Sequence, residues 1–232
     1  MNRVPLVLIP GLLCDEVLWR QQADALSDIA DPLIADISQD DSIHAMATRV
    51  LQAAPPRFAL AGLSMGGYVS FEILRQAPER VMRLALFDTS AAPDSPARAR
   101  QRRANLHALG AGRFAGVTHR MLPTLIHASR VDGPVGADVM DMAQRLGAEV
   151  FVRQQTAIMG RPDSRPGLAD IRIPTMVVVG EDDQLTPVEQ ALIIHQGIVG
   201  SSCHVLPGCG HLPPLELPEE STALLRTWLL AD

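Results

Sequence analysis

Aromatic residues are scarce in this chain: two tryptophans, one tyrosine and five phenylalanines among 232 residues, or 3%. So few rings leave few stacking platforms and favour aliphatic over aromatic substrates. Cysteine is scarcer still. Cys14, Cys203 and Cys209 are odd in number and widely spaced, which excludes a disulfide framework and the paired spacing of a zinc site, so reduced thiols are expected. Lysine is absent, arginine supplies all 20 basic residues, and that bias carries no functional meaning. The net charge of −6 argues against non-specific nucleic-acid binding. No apolar run approaches the roughly 20 residues that a bilayer crossing requires, so no membrane span is expected. Residues 1–13 (MNRVPLVLIPGLL) have the look of a leader, but Pro5 and Pro10 bracket a short aliphatic run that reads as a buried strand. The expected location is therefore the cytoplasm.

What is present is a repeating pattern. Short aliphatic or β-branched runs occur at 4–9 (VPLVLI), 32–37 (PLIADI), 57–62 (RFALAG), 81–88 (VMRLALFD), 174–180 (PTMVVVG) and 203–207 (CHVLP), with helical spacing after them. Runs that do not alternate predict strands covered on both faces, as in a parallel sheet between helical layers. The expected fold class is α/β, a three-layer sandwich around about six mainly parallel strands. Between the fourth and fifth strands the chemistry changes. Pro93 and Pro96 open this segment and Pro162, Pro166 and Gly167 close it, fencing a helical insert. Its 11 arginines, Arg113 among them, outnumber six acids, so the insert carries +5 and the remainder −11. Sheet residues flank it on both sides. Residues 93–168 therefore read as a cap within a single overall domain whose core is 1–92 and 169–232.

The chemistry concentrates in LAGLSMGGYVSFEIL at 60–74. Gly62-Leu63-Ser64-Met65-Gly66 is a Gly-x-Ser-x-Gly sequence placed after a predicted strand and before a predicted helix, the context of a nucleophile elbow. A serine at the apex of so tight a turn is strained, and side chains two positions to either side would strike the neighbouring strand and helix. Glycine at both places removes the clash, Gly67 gives the helix room, and the helix should end before Pro78. A serine hydroxyl attacks poorly at neutral pH unless a base takes its proton and an acid orients the base. Candidates for both follow in chain order. Gly180-Glu181-Asp182-Asp183-Gln184-Leu185-Thr186-Pro187 leaves the fifth strand, with Thr186 expected as the N-cap of the next helix and Pro187 at its first position. Pro207-Gly208-Cys209-Gly210-His211 leaves the sixth. In a parallel sheet these loops open on one edge, where open α/β folds bind ligands. Of the seven histidines, His44 and His195 sit in helical patterns, His204 in the last strand, and His107, His119 and His127 in the insert. Only His211 shares the loop layer of Ser64. The acid stays open between the adjacent Asp182 and Asp183, which point apart. Asp88, ending the fourth strand, is a third option whose plainer role is capping a turn.

With the first-strand turn Ile9-Pro10-Gly11-Leu12-Leu13 added, these motifs resemble the α/β-hydrolase fold superfamily over nearly the whole chain. Within it, the sequence is similar to small capped bacterial esterases and 3-oxoadipate enol-lactonase-like hydrolases. In such relatives the acid commonly lies three residues after the strand-ending glycine, which selects Asp183. The Pro10-Gly11 turn corresponds to the family's His-Gly turn with proline in place of histidine, and the resemblance implies an oxyanion hole from the N–H groups of Leu12 and Met65. The side chains of Leu12, Leu13 and Trp19 are then expected to line an aliphatic acyl pocket, the alternative being simple core. Two departures stand out. Relatives often carry one or two further strands before the Pro-Gly turn, whereas Met1 is only nine residues from Pro10, so a sheet reduced to about six strands is expected; and the family's Asp-x-Arg-Gly-x-Gly stretch is replaced by Ala35-Asp36-Ile37-Ser38-Gln39-Asp40-Asp41-Ser42, read as a solvated loop with Ser42 capping a helix.

The resemblance implies a serine hydrolase of the carboxylesterase kind, cleaving a small aliphatic ester, lactone or thioester through an acyl-enzyme on Ser64, with no metal and no organic cofactor. The cap is implied to set specificity. Its Arg98, Arg100, Arg102 and Arg103 suit an anionic substrate or an acidic carrier protein, while a solvated helix face is the plainer account. The same scaffold hosts lyases, in which Ser64 and His211 abstract a proton, and non-catalytic receptors. A lyase predicts no acyl-enzyme burst; a receptor tolerates Ser64→Ala.

Overall fold

Each aliphatic run forms a strand, and helices follow most of them. The computed structural model describes residues 3–110 and 114–231, so Arg113 of the insert lies outside the described residues. In chain order the elements are β1 (Val4–Ile9), α1 (Arg20–Ala25), β2 (Ala30–Ile34), α2 (Ile43–Ala53), β3 (Phe58–Leu63), α3 (Met65–Gln76), β4 (Val81–Phe87), α4 (Pro96–Gly110), α5 (Leu122–Leu125), α6 (Pro134–Met159), β5 (Thr175–Gly180), α7 (Val188–Gly197), β6 (Ser202–Leu206), α8 (Pro213–Glu216) and α9 (Pro218–Leu230). The six strands make one sheet in the order β2-β1-β3-β4-β5-β6, with every pairing parallel.

Successive strand residues face opposite layers. Leu6 and Leu8 of β1, Ala59 and Ala61 of β3, and Met176 and Val178 of β5 enter one core with Trp19, Leu225 and Trp228. Val7, Ile9, Leu60, Val177 and Val179 enter the other, with Met46, Val50, Val69 and Ile194. Helices α1 and α9 thus cover one face and α2, α3 and α7 the other. Both faces are apolar, which is why the runs show no alternation. One boundary differs from expectation: β2 starts at Ala30, in register Val4↔Ala30 to Leu8↔Ile34, and stops before Ala35. Pro32 sits inside it because an edge strand pairs on one side only and tolerates the missing N–H. The following loop runs to Ser42, whose hydroxyl accepts from the Ala45 N–H at 3.2 Å and caps α2.

Register sets the site. The pairs Ile9↔Gly62, Leu63↔Phe87, Phe87↔Val178 and Gly180↔Leu206 bring the ends of β1, β3, β4, β5 and β6 to one rim. The chain leaves β1 towards β2 and returns to β3 on the other side, so β1 and β3 flank the switch point where such sheets bind ligands. Between β4 and β5 come α4, α5 and α6, and α6 is broken at Gly147 (φ 75°, ψ −174°). They send Leu122, Ile126, Val139 and Met142 into one core and Ala157 and Ile158 into the other. Among the described residues no helix is long and apolar enough to cross a membrane.

Candidate active site

Ser64 sits between β3 and α3 at φ 55° and ψ −112°, a left-handed conformation that a serine adopts only under constraint. Packing supplies the constraint. A Cβ on Gly62 would strike the Gly66 carbonyl, and one on Gly66 would lie 2.7 Å from the Pro10 carbonyl oxygen. The Ser64 N–H donates to the Phe87 carbonyl at 2.9 Å, and the Thr89 hydroxyl donates to the Ser64 carbonyl at 2.7 Å. The end of β4 therefore holds the elbow from both sides of the serine.

The hydroxyl this lifts out of the sheet meets His211. Ser64 Oγ lies 2.8 Å from His211 Nε2, and His211 Nδ1 lies 2.8 Å from Asp183 Oδ2. A carboxylate on the Nδ1 side fixes the proton there, which leaves Nε2 free to accept the serine proton. Asp183 and His211 are each 4% exposed. Asp183 also accepts from the Leu185 N–H at 2.7 Å, the Thr186 N–H at 3.1 Å and the Thr186 hydroxyl at 2.7 Å. Burial by itself would raise this carboxyl, but the imidazole and these donors overcome it and hold Asp183 well below the usual carboxylate range. Thr186 was expected to cap the helix; instead α7 begins at Val188 with Pro187 as its cap, because the threonine hydroxyl is spent on Asp183. Asp182 points elsewhere, half exposed and 3.9 Å from His127 Nε2.

The first-strand turn packs against the elbow: a Cβ on Gly11 would lie 3.5 Å from Ser64 Cβ. Met65 is the first residue of α3. Among the described residues neither its N–H nor that of Leu12 donates within the chain, so both are available at the mouth of the site. The Leu13 N–H is not, since it donates to Gln154 Oε1 on α6 at 2.9 Å while Leu13 holds φ 56°. Trp19, expected beside an acyl pocket, is instead fully buried with its ring edge-on to Phe87 at 5.4 Å, because the turn at Glu16–Leu18 rolls it beneath the sheet. It belongs to the core. Of the insert's arginines, Arg98 donates to the Leu185 carbonyl at 2.7 Å and Arg102 pairs with Asp94 at 2.7 Å, leaving Arg100 and Arg103 exposed.

Residues 7–223 match the alpha/beta hydrolase family. The chain belongs to that family. Among curated proteins it is similar to the pimeloyl-[acyl-carrier protein] methyl ester esterase of Neisseria meningitidis, 26% identical over 208 residues that span 84% of this chain and 78% of the relative. Among solved structures it resembles a malate-bound thermophilic esterase from Thermogutta terrifontis, with a TM-score of 0.88 and 29% identity over 98% of this chain and 90% of that one. It also shares the fold of the enol-lactonase from Burkholderia xenovorans, with a TM-score of 0.85 and 24% identity over 100% of this chain and 93% of that one.

Of two buried carboxyls in this alpha/beta hydrolase, Glu216 was not anticipated and Asp88 was expected only as a third option for the acid or a turn cap. Glu216 on α8 accepts from the N–H groups of His127 at 2.7 Å, Gly210 at 3.1 Å and Leu212 at 3.1 Å, pinning the residues on either side of His211. Nothing in its spacing announces this, because all three donors are backbone. Asp88 does more than cap a turn: it accepts from the Gly180 N–H at 2.9 Å, and burial, then the Asp183 charge, push its carboxyl well above the usual range. Asp88, Asp183 and His211 present ligand-type atoms within 4.8 Å of one another. Both imidazole nitrogens are already engaged, one by Ser64 and one by Asp183, so the histidine is not free to take an ion and the cluster makes a poor cation cage.

Proposed function

We propose that the protein is a serine hydrolase that cleaves a carboxylic ester of a small aliphatic acid through an acyl-enzyme on Ser64. The observation that carries this reading is the pair of 2.8 Å contacts from Ser64 through His211 to Asp183. In the first half, His211 Nε2 takes the hydroxyl proton as Ser64 Oγ bonds to the carbonyl carbon. The carbonyl π electrons move to oxygen, where the N–H groups of Leu12 and Met65 hold the charge. Collapse expels the alcohol, which leaves with the proton from Nε2. In the second half a water gives its proton to Nε2 and adds to the acyl carbon, the acid departs, and Ser64 recovers its proton. Every proton and electron pair is accounted for without a metal or an organic cofactor.

The similarity to two proteins named as esterases supports the ester bond as the target. A second reading, in which the acyl group is borne by an acidic carrier protein, is favoured by the first relative's named substrate and by the exposed Arg100 and Arg103. It predicts that Arg100→Glu with Arg103→Glu slows turnover of a carrier-bound methyl ester and spares the free ester. We assign the insert 93–168 the role of cap over the site, and the unpaired Cys14, Cys203 and Cys209 support a cytoplasmic setting.

Fluorophosphonate labelling with mapping of the adduct tests the reading. Ser64 should carry the label, and Ser64→Ala should lose at least about a thousandfold in p-nitrophenyl ester turnover. Asp183→Asn should cost on the order of ten-thousandfold, with Asp182→Asn nearly unchanged. A label elsewhere, or an active Ser64→Ala protein, would reject the nucleophile.

A further inference from the structure

Asp88 is a buried carboxyl that the acyl-transfer cycle leaves without a task. It is 1% exposed, and its backbone holds φ 43°, a left-handed conformation strained for a residue with a side chain. Its N–H donates to the Val178 carbonyl at 2.9 Å, and its Oδ1 accepts from the Gly180 N–H at 2.9 Å. These two bonds aim the remaining oxygen. Oδ2 is buried and, among the described residues, has no N–H or O–H to accept from. The Asp88 carboxyl clusters with Asp183 and His211 within 4.8 Å, and the charge of Glu216 and the buried Cys209 thiol, which burial keeps protonated, belong to the same surroundings.

Two carboxylates this close in a dry site do not both ionise. Which of them keeps the charge is decided by hydrogen bonds. Asp183 has three donors aimed at it and an imidazole beside it, whereas Asp88 has a single donor. An orphaned buried oxygen is also costly unless it bears a proton and finds an acceptor.

We propose that Asp88 is a neutral carboxylic acid whose Oδ2–H donates to the Asp183 carboxylate, making it a positioning residue that fixes the relay acid from the end of β4. The proposal rests on Asp183 being that acid. Asp88 then bridges the Gly180 N–H and the Asp183 side chain, closing the acid loop across two strands. The direction in which burial and the neighbouring charge shift its carboxyl agrees with this.

The test is infrared spectroscopy of the full-length protein at neutral pH, with pH–rate profiles on an activated ester. Wild type minus Asp88→Asn should show a protonated-carboxyl C=O stretch; its absence would mean that Asp88 is ionised and would overturn the proposal. Asp88→Ala should lower kcat on the order of tenfold to a hundredfold with KM little changed. Asp88→Asn, whose amide donates where the acid did, should recover most of that loss. The acidic limb of kcat/KM should stay in place in Asp88→Asn, because one neutral donor replaces another. A limb that moves to lower pH would show that the substitution removed a negative charge beside the imidazole, and the proposal fails. Full activity in Asp183→Asn would sink the acid assignment instead, while the infrared band would still report the Asp88 proton.

Discussion

A carboxyl that keeps its proton at neutral pH lowers the stability of the fold that holds it, because the unfolded chain releases that proton and gains by doing so. For Asp88 the folded value lies well above the usual range and the unfolded one is about 3.9. Below about pH 4 both states are protonated and the group contributes nothing to the pH dependence. As pH rises, the unfolded state loses its proton first, and stability falls by up to about 1.4 kcal/mol per pH unit until the folded group also titrates. Asp88→Asn removes that dependence. Urea unfolding followed from pH 4 to pH 8 should find the variant increasingly more stable than wild type, with the gap closing at the acid end; a gap independent of pH would contradict the neutral acid. Asp183 works in the opposite sense. Its folded value is depressed, so its contribution is complete above the unfolded value and is lost as pH falls through about 4 and below. Two aspartates in one cluster thus pull the stability curve in opposite directions.

Among the elements, the loops at the rim are held by side chains whose partners are backbone groups far away in sequence. Glu216 joins a distant partner to near ones: its carboxylate accepts from the part-buried His127 N–H, 89 residues away, and from the buried N–H groups of Gly210 and Leu212 beside His211. Each unpaired buried donor costs about 1–3 kcal/mol, so Glu216→Ala should destabilise the protein by several kcal/mol. The loss should be visible as a large drop in Tm, with kcat falling alongside as the His211 loop loosens. The same feature explains what the sequence could reveal. The strands were legible because burial on both faces makes them uninterrupted aliphatic runs, and the elbow because its steric demand is met within five residues. The start of β2 was not, since Pro32 looks like a boundary until the strand is known to lie on the edge. Spacing could not separate Asp182 from Asp183; only Thr186, turned inward to one of them, does so. Gln154 was invisible because the amide it accepts from lies 141 residues away, and Glu216 because its three donors are backbone amides, which carry no residue signature.

At the scale of the molecule, the insert is joined to the acid loop, the His211 loop and the first-strand turn. Arg98 and the Pro123 carbonyl hold the acid loop at Leu185 and Gln184, the Leu125 carbonyl accepts from the His211 N–H at 2.9 Å, and Gln154 accepts from Leu13. A lid that merely covered a pocket would need none of these bonds. Gln154 offers the sharpest probe, because it is 1% exposed and its amide oxygen faces the turn that leaves the Leu12 N–H free. Leu13 at φ 56° is strained, and a leucine there relaxes towards negative φ once nothing holds its N–H. Gln154→Leu keeps the bulk and removes that acceptor. The turn should then rearrange, and a displacement of the oxyanion donor by about 1 Å costs on the order of a hundredfold in rate. We expect kcat to fall by roughly that much with KM nearly constant, and a boronic acid that mimics the tetrahedral adduct to lose affinity in proportion. The product acid, which carries no developing oxyanion, should bind as before. If the substitution raises KM and leaves kcat alone, α6 is only a wall of the pocket, and the oxyanion turn stands without help from the insert.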